Sequence, residues 1–260
     1  MSEANSSSNH SLSPPQNNKE KDPDRPKLKI LALHGYRQNG AMFRAKIGSF
    51  RKAVAKYAQL VFVSAPHKVN LLFTDARSWW FNAEDNTFSG KCLGGPALGF
   101  QETLEVIQKV EEEHGPFDGL MGFSQGACLV GLLAFVIFTS GFRSGSLVHK
   151  GFYDEEITLP SLHVYGESDS IIPKEMSESL INLFIKPIVA EHSGGHYVAC
   201  SGVIKDAYQD FLSDRYQEML EANHAEEQKK SYCAGIPGTA EAEPGTLCPG
   251  SESRQGQMFV

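Results

Sequence analysis

A chain of 260 residues, 41% apolar and 21% charged, has room for one substantial hydrophobic core or two small ones. Its net charge of −7 argues against a general affinity for nucleic acid or an anionic membrane, because both favour a basic protein. The longest apolar run, residues 128–138, is too short to span a bilayer, and the five cysteines fit neither a zinc site nor a disulfide framework. With no signal-peptide pattern near the first residue either, we expect a protein of the cytoplasm or of the cytoplasm and nucleus.

The first part of the chain contains a polar tail, two strands and a helix between them. Residues 1–26 are rich in Ser, Asn, Pro and charge, which predicts a disordered tail. The apolar run at residues 27–33 predicts a buried strand. Residues 41–58 carry apolar side chains every three or four positions, which predicts one helix with a single apolar face. A second buried strand is predicted at residues 60–63.

A long irregular insertion follows. Residues 68–98 contain an aromatic cluster and are otherwise rich in Gly, Asn and Ser. A stretch of this length without regular structure inside a compact domain is usually a lid or a binding loop. Residues 100–114 then predict a helix, which Gly115-Pro116 ends.

The centre of the chain, residues 117–126, carries the most informative motif. An apolar run leads into Gly122-Phe123-Ser124-Gln125-Gly126, and helix-compatible residues follow. This is the pattern of a nucleophile elbow, in which a tight strand-to-helix turn presents a serine above the edge of a sheet. The pattern alone is weak, because an ordinary turn also uses Gly and Ser.

The second half of the chain continues to alternate strands and helices. Further strands are predicted at 135–138, 161–166 and 188–191, and further helices at 173–184 and 203–220. Charge, Gly and Pro then dominate, so we expect one domain at residues 27–222 and a disordered tail at residues 223–260. The alternation predicts an α/β fold with a mostly parallel central sheet and helices on both faces. Ligands of such sheets bind at the carboxyl ends of the strands.

Three side chains that follow predicted strand ends could form a catalytic triad. A serine hydroxyl needs a base that takes its proton, and the base needs a carboxylate that holds it in one tautomer. Ser124, Asp169 and His196 occur in the chain order that strand–helix hydrolases use. The competing side chains are one carboxylate and two histidines: Glu167, His163 and His192. Asp169 is favoured over Glu167 without excluding it, and the two histidines are expected to be structural.

Acyl transfer also needs donors for a tetrahedral oxyanion. The backbone N–H of Gln125 follows the elbow serine, and the loop after the first strand offers the backbone N–H of Tyr36. Trp79, Trp80 and Phe81 either line an acyl pocket or anchor the insertion. No metal, nucleotide or phosphate motif is present, so we expect no cofactor and no metal.

Six motifs together carry a resemblance to a known family. They lie in order at residues 33–40, 64–67, 77–81, 115–126, 166–169 and 192–196. The region from residue 27 to about residue 220 resembles the family of serine hydrolases, the FSH-type α/β hydrolases. The resemblance implies an α/β-hydrolase fold and a carboxylic ester hydrolase, possibly also a thioesterase, that acts on small acyl esters through an acyl-enzyme. It places the triad on the same Ser124, Asp169 and His196.

One segment departs from the family pattern. Only residues 125–134 separate the elbow from the next predicted strand, whereas a parallel crossover takes a dozen residues or more. Ten helical residues rise about 15 Å, which leaves no chain for the return to the sheet. Either the helix after the elbow is truncated or the following strand is lost. The alternative function is therefore a catalytically impaired, shortened form that acts as a binding or regulatory protein.

Overall fold

The computed structural model describes residues 26–69, 75–129 and 135–234. The strands are β1 (Leu28–Leu33), β2 (Ala58–Val63), β3 (His67–Lys68), β4 (Arg77–Ser78), β5 (Gly119–Phe123), β6 (Val136–Thr139), β7 (Ser161–Gly166) and β8 (Ile188–His192). The helices are α1 (Gly40–Lys46), α2 (Gly48–Val54), α3 (Phe100–His114), α4 (Gln125–Cys128), α5 (Lys174–Ile181) and α6 (Gly202–Ala234), with a 3-10 helix at Leu147–Tyr153.

Six of the strands form one sheet in the order β2-β1-β5-β6-β7-β8, and every neighbouring pair in it is parallel. The prediction of a mostly parallel central sheet is confirmed. Since the strands share one direction, the loops after β1, β5, β7 and β8 emerge at the same edge of the sheet.

The two faces of the sheet are covered by different helices. Side chains alternate between the faces along a strand, and in β1 Ile30 packs with Phe50 of α2 and Tyr208 of α6 in one buried cluster. Leu31, the next residue, belongs to a second cluster that Ile107 of α3 also contacts. The sheet is thus apolar on both sides, as its nearly continuous apolar strands require.

The single helix predicted at residues 41–58 is two helices. α1 ends at Lys46. The next residue, Ile47, leaves the helical region with φ −97° and ψ 34°, and α2 begins at Gly48. Phe43, Ile47 and Phe50 are nevertheless all buried. The apolar spacing therefore correctly predicts a core-facing surface, but it does not reveal a break between two short helices that share that surface.

The insertion at residues 68–98 is less irregular than its sequence suggests. β3 and β4 pair antiparallel, and Phe81 forms a bridge with Leu98. Both Trp79 and Trp80 are fully buried in the cluster beneath α3. Residues 70–74 of the predicted lid-like insertion lie outside the described residues.

The crossover after the elbow is short because its helix is truncated. α4 has four residues, and β6 still pairs with β5, with Leu120 opposite Val136. Of the two alternatives, the structure has the truncated helix and retains the strand. Residues 130–134 lie outside the described part of the chain.

The last helix is longer than predicted. α6 runs to Ala234, beyond the domain end predicted at residue 222 and into the segment predicted to be disordered. Its first half buries Tyr208 and Phe211 against the sheet, whereas residues 221–228 are exposed. Glu, Ala, Gln and Lys favour a helix through their intrinsic propensity. The extension therefore has no apolar periodicity from which the sequence would predict it. The remaining parts of the two predicted tails, residues 1–25 and 235–260, lie outside the described residues.

Within residues 26–69, 75–129 and 135–234, the structure contains no helix with both the length and the apolar character needed to cross a lipid bilayer.

Candidate active site

Ser124 lies in the turn between β5 and α4, with φ 52° and ψ −117°. This left-handed φ is strained for a residue with a Cβ atom. A Cβ atom on Gly122 would lie 2.5 Å from the Cα atom of Ala127, and one on Gly126 would lie 2.5 Å from the carbonyl oxygen of Leu33. Both glycines of the Gly-x-Ser-x-Gly pattern are therefore required by close backbone contacts, as an elbow demands.

The imidazole of His196 connects Ser124 to Asp169. His196 Nε2 lies 3.1 Å from Ser124 Oγ, and His196 Nδ1 lies 2.8 Å from Asp169 Oδ2. A carboxylate only accepts hydrogen bonds, so Nδ1 carries the proton and Nε2 can accept from the serine hydroxyl. The three predicted triad residues are brought together in the arrangement that the transfer of a proton from serine requires.

The carboxylate of Asp169 is buried and saturated with donors. Its side chain is 0% exposed. Oδ1 accepts from the backbone N–H groups of Ile171 (2.9 Å) and Ile172 (2.8 Å), and Oδ2 accepts from the hydroxyl of Ser140 (3.0 Å) as well as from the imidazole. The rival Glu167 is exposed. The geometry thus favours Asp169 as the partner of the imidazole.

His34, which also follows a predicted strand, has a structural role. It is fully buried at the end of β1, where its Nδ1 lies 2.8 Å from the carbonyl oxygen of Gly35 and its Nε2 accepts from the backbone N–H of Ala65 at 3.0 Å. Burial lowers the pKa of His34 to about 4, so the ring is neutral near pH 7. A neutral ring with one donor and one acceptor matches both partners.

The two competing histidines, His163 and His192, lie outside the triad, as expected. His163 is buried within β7 and stacks on Phe138 at 4.5 Å between ring centroids, and burial lowers its pKa to about 3. His192 ends β8, and its Nδ1 accepts from the backbone N–H of Gly194 at 3.2 Å. Burial also lowers the pKa of His192. Neither ring is hydrogen-bonded to Ser124 in the described part of the chain.

Two backbone N–H groups, one directly after Ser124 and one in the loop after β1, are free to donate in the described part of the chain. Within the described residues, the N–H groups of Tyr36 and Gln125 have no hydrogen-bond acceptor in the protein. The loop that carries Tyr36 is fixed to β4, because Arg37 donates to the Arg77 carbonyl (2.9 Å) and the Arg77 N–H donates to Gln38 (2.8 Å). These are the two donors that the sequence predicted for an oxyanion.

The side chain of Gln125 has a role that the sequence did not reveal. Its Oε1 accepts from the backbone N–H of Trp79 at 3.1 Å, and its Nε2 donates to the carbonyl of Trp80 at 2.8 Å and to Ser78 Oγ at 3.2 Å. Gln125, the residue after Ser124, thus holds residues 78–80 of the insertion against the turn at Ser124. A glutamine next to a serine carries no sequence signal for such a contact.

The aromatic residues 79–81 divide into two roles. Trp79 and Trp80 are 0% and 1% exposed, and the indole N–H of Trp79 donates to the His34 carbonyl at 2.7 Å. They anchor the insertion. Phe81, by contrast, lines an open cleft of about 550 Å³.

The cleft of about 550 Å³ lies beside the loop that carries Tyr36. Tyr36 and Arg37 form one side of it, His67 and Lys68 another, and Phe81 is its buried apolar wall. Among the described residues, neither Ser124 nor His196 lines this cleft, so Tyr36 alone connects it to the predicted site.

Comparison with known proteins identifies the family. The model of the family described as "Serine hydrolase (FSH1)" matches residues 24–207. The chain belongs to this family of serine hydrolases. A curated relative, the esterase AGAP003155 of Anopheles gambiae, is 45% identical over 249 residues, which cover 88% of this chain and 93% of the relative. The esterase OVCA2 of Danio rerio is 40% identical over 223 residues, which cover 73% of this chain and 98% of the relative.

Solved structures support the same fold. SOBER1 of Arabidopsis thaliana aligns with a TM-score of 0.52 at 18% identity, covering 73% of this chain and 99% of that one. Acyl-protein thioesterase 2 of Zea mays aligns with a TM-score of 0.53 at 17% identity, covering 73% of this chain and 94% of that one. The predicted α/β-hydrolase fold is confirmed. The predicted class of enzyme, a carboxylic ester hydrolase of the serine hydrolase family, is confirmed as well.

Proposed function

We propose that this serine hydrolase cleaves carboxylic esters of acyl chains, and thioesters of the same acids, through a covalent acyl-enzyme on Ser124. The observation that carries the proposal is the unbroken hydrogen-bond path from Ser124 Oγ through His196 to Asp169, with steps of 3.1 and 2.8 Å. The path lies at a strained elbow, where a serine is otherwise an unfavourable residue.

In the proposed reaction, Ser124 Oγ attacks the acyl carbonyl while His196 Nε2 takes its proton. The buried carboxylate of Asp169 stabilises the imidazolium that forms. The tetrahedral intermediate then expels the alcohol or thiol, which takes the proton from Nε2. Water attacks the acyl-enzyme in the same manner and releases the acid and free Ser124.

The oxyanion of each tetrahedral intermediate is proposed to accept hydrogen bonds from the N–H groups of Tyr36 and Gln125. Their freedom from other acceptors in the described part of the chain supports this role. α4 has only four residues. Since the helix macrodipole arises from many aligned peptide units, so short a helix adds little, and the stabilisation depends on the two N–H groups.

The substrate is proposed to enter through the cleft beside Tyr36, with Phe81 as the apolar wall of the acyl pocket. Trp79 and Trp80 are buried and do not line the cleft, which supports a role for them behind that wall rather than in contact with the substrate. Esters are favoured over peptides because the relatives in this family are named esterases. We propose no cofactor, since the triad and the oxyanion donors supply the chemistry.

The test is labelling of the purified protein with a fluorophosphonate, followed by mass mapping of the modified residue. We expect rapid modification of Ser124 that Ser124→Ala abolishes and that His196→Ala slows by about a thousandfold or more, because the hydroxyl then lacks its base.

The two candidate carboxylates supply the control. Asp169→Asn should slow labelling strongly, whereas Glu167→Gln should leave it unchanged. Folded protein that stays unlabelled would refute the proposed hydrolase and favour the alternative, a binding or regulatory protein whose elbow is not activated.

A further inference from the structure

Ser140 is the first residue after β6, and it directly contacts the triad carboxylate. Its side chain is buried, with 1% exposed, and its Oγ lies 3.0 Å from Asp169 Oδ2. The carboxylate has no hydrogen to donate, so the serine hydroxyl is the donor. Ser140 and His196 are the only side chains that donate to Asp169 within the described residues.

The backbone of Ser140 is in an unfavourable conformation. Its φ is 47°, in the left-handed region that Gly and Asn adopt more readily, and a residue with a Cβ atom loses about 1–2 kcal/mol there. The N–H of Ser140 donates to the carbonyl of Val164 on β7 at 2.8 Å, which holds the turn in place. A strained serine whose hydroxyl points at a catalytic carboxylate indicates a function for the hydroxyl rather than for the turn.

We propose that Ser140 is a positioning residue, whose hydroxyl holds the Asp169 carboxylate in the rotation that presents Oδ2 to His196 and limits how strongly Oδ2 attracts the imidazolium. The inference deepens the proposed function, since it concerns the same triad. It adds to the Ser, His and Asp a fourth side chain, contributed by the strand that follows the short crossover.

The two oxygens of the carboxylate are held by different parts of the chain. The N–H groups of Ile171 and Ile172, which belong to the turn that carries Asp169, both bind Oδ1. Oδ2, the oxygen that faces His196, is held by Ser140 from another strand. Without the hydroxyl, the two N–H groups would still hold Oδ1, but the imidazole would be the only partner of Oδ2, so the position of Oδ2 would be less tightly fixed.

The hydroxyl also shares the negative charge of Oδ2. Hydrogen bonds to the charged form of a group stabilise that charge and weaken its attraction for a second partner. Removing the hydroxyl should therefore strengthen the attraction between Oδ2 and a protonated His196, and His196 should hold its second proton up to a higher pH. A serine that only maintained the turn would leave this titration unchanged.

In the described part of the chain, few other titratable groups lie near Asp169 and His196. His192, at the end of β8, feels the charge of Asp169, but burial lowers its pKa, so it titrates below an ordinary histidine. Glu191 also acts on His192, and its carboxylate is 2.7 Å from the ammonium of Lys174. The exposed Glu167 lies in the turn before Asp169. None of these groups is bonded to Ser140 in the described part of the chain, so its substitution leaves their contacts intact.

The experiment compares Ser140→Ala with Ser140→Gly. Both remove the hydroxyl, but only alanine keeps the Cβ atom that makes the left-handed φ of 47° unfavourable. We expect both to raise the titration midpoint of His196 by about half a pH unit, measured by NMR of the imidazole, and to slow fluorophosphonate labelling of Ser124 by about tenfold at neutral pH. The free energy of unfolding should nevertheless differ between the two variants, because glycine relieves the strain.

The matched control is Ser161→Ala, which removes a buried hydroxyl on β7 that lies 3.1 Å from His163 and does not contact Asp169. It should change neither the midpoint nor the labelling rate. A wild-type midpoint in both Ser140 variants, or normal labelling in Ser140→Gly with a defect in Ser140→Ala alone, would overturn the proposal. Because the NMR titration needs no catalysis, a raised midpoint in a protein that never labels would support the positioning role while refuting the proposed hydrolase.

Discussion

At the scale of single residues, Gly126 shows how closely the elbow approaches β1. A methyl group at this position would lie 2.5 Å from the carbonyl oxygen of Leu33 and 2.6 Å from that of His34. We therefore expect Gly126→Ala to lower the free energy of unfolding by about 1–3 kcal/mol, since neither backbone can move without disturbing the sheet. Urea denaturation measures the loss, and labelling of Ser124 should slow with it.

Gly48→Ala is the control for this substitution. Gly48 begins α2, and a Cβ atom there meets no other atom within 4 Å. Its replacement should leave stability unchanged or raise it by about 0.4–1 kcal/mol, because alanine restricts the unfolded chain. Equal effects of the two substitutions would contradict the steric explanation.

Some residues of the candidate site can be predicted from the sequence and others cannot, for a physical reason. Ser124, Asp169 and His196 follow the ends of parallel strands, so the alternation of strands and helices predicts that they meet. Ser140 and the side chain of Gln125 form contacts across 29 and 46 positions, and no spacing rule relates such partners. Their roles follow only from side-chain directions, which depend on the folded backbone.

At the scale of elements, Gln125 joins α4 to the insertion. Gln125→Ala would leave the buried N–H of Trp79 and the carbonyl of Trp80 without this partner. An unpaired buried polar group costs about 1–3 kcal/mol, so we expect a loss of that order in the free energy of unfolding. Hydrogen exchange should quicken at residues 77–81 in particular.

An exposed glutamine provides the comparison. Gln108 on α3 donates to Glu112 at 3.0 Å on the surface of the helix. Gln108→Ala should change neither stability nor exchange by a measurable amount, since water replaces the lost partner. Unchanged exchange at residues 77–81 in Gln125→Ala would show that Gln125 does not hold the insertion.

Element boundaries were predictable where burial determines them and not where backbone geometry does. The strand predicted at residues 161–166 and the helix predicted at residues 100–114 are β7 and α3 without change. The break at Ile47 escapes prediction because both short helices share one apolar spacing. The sequence shows that residues 125–134 are too few for a full crossover. Only the structure shows that the helix is shortened and the strand retained.

At the scale of the whole molecule, buried histidines make the fold sensitive to acid. Burial lowers the pKa of His34 to about 4 and that of His163 to about 3, whereas the same residues in the unfolded chain have the ordinary value near 6.5. Below pH 6.5 the unfolded chain binds protons that the folded protein does not, so stability falls as pH falls towards 4. Each of the two histidines should lower the free energy of unfolding by about 2 kcal/mol between pH 7.5 and pH 5.

Urea denaturation at pH 7.5 and pH 5 tests this expectation. His163→Phe, which retains an aromatic ring against Phe138, should reduce the difference in the free energy of unfolding between the two pH values by about 2 kcal/mol. The exposed His224 is the control, and His224→Ala should leave the difference unchanged. An undiminished difference in His163→Phe would contradict a neutral, buried His163.

The segment from Arg77 to Trp80 connects the two parts of the chain that carry the proposed oxyanion donors. The loop bearing the Tyr36 N–H is bonded to the backbone of Arg77, and the side chain of Gln125 is bonded to Trp79 and Trp80. Both proposed donors are thus tied by hydrogen bonds to one backbone segment of four residues. A substitution that displaces this segment would therefore move both donors at once, although neither donor belongs to it.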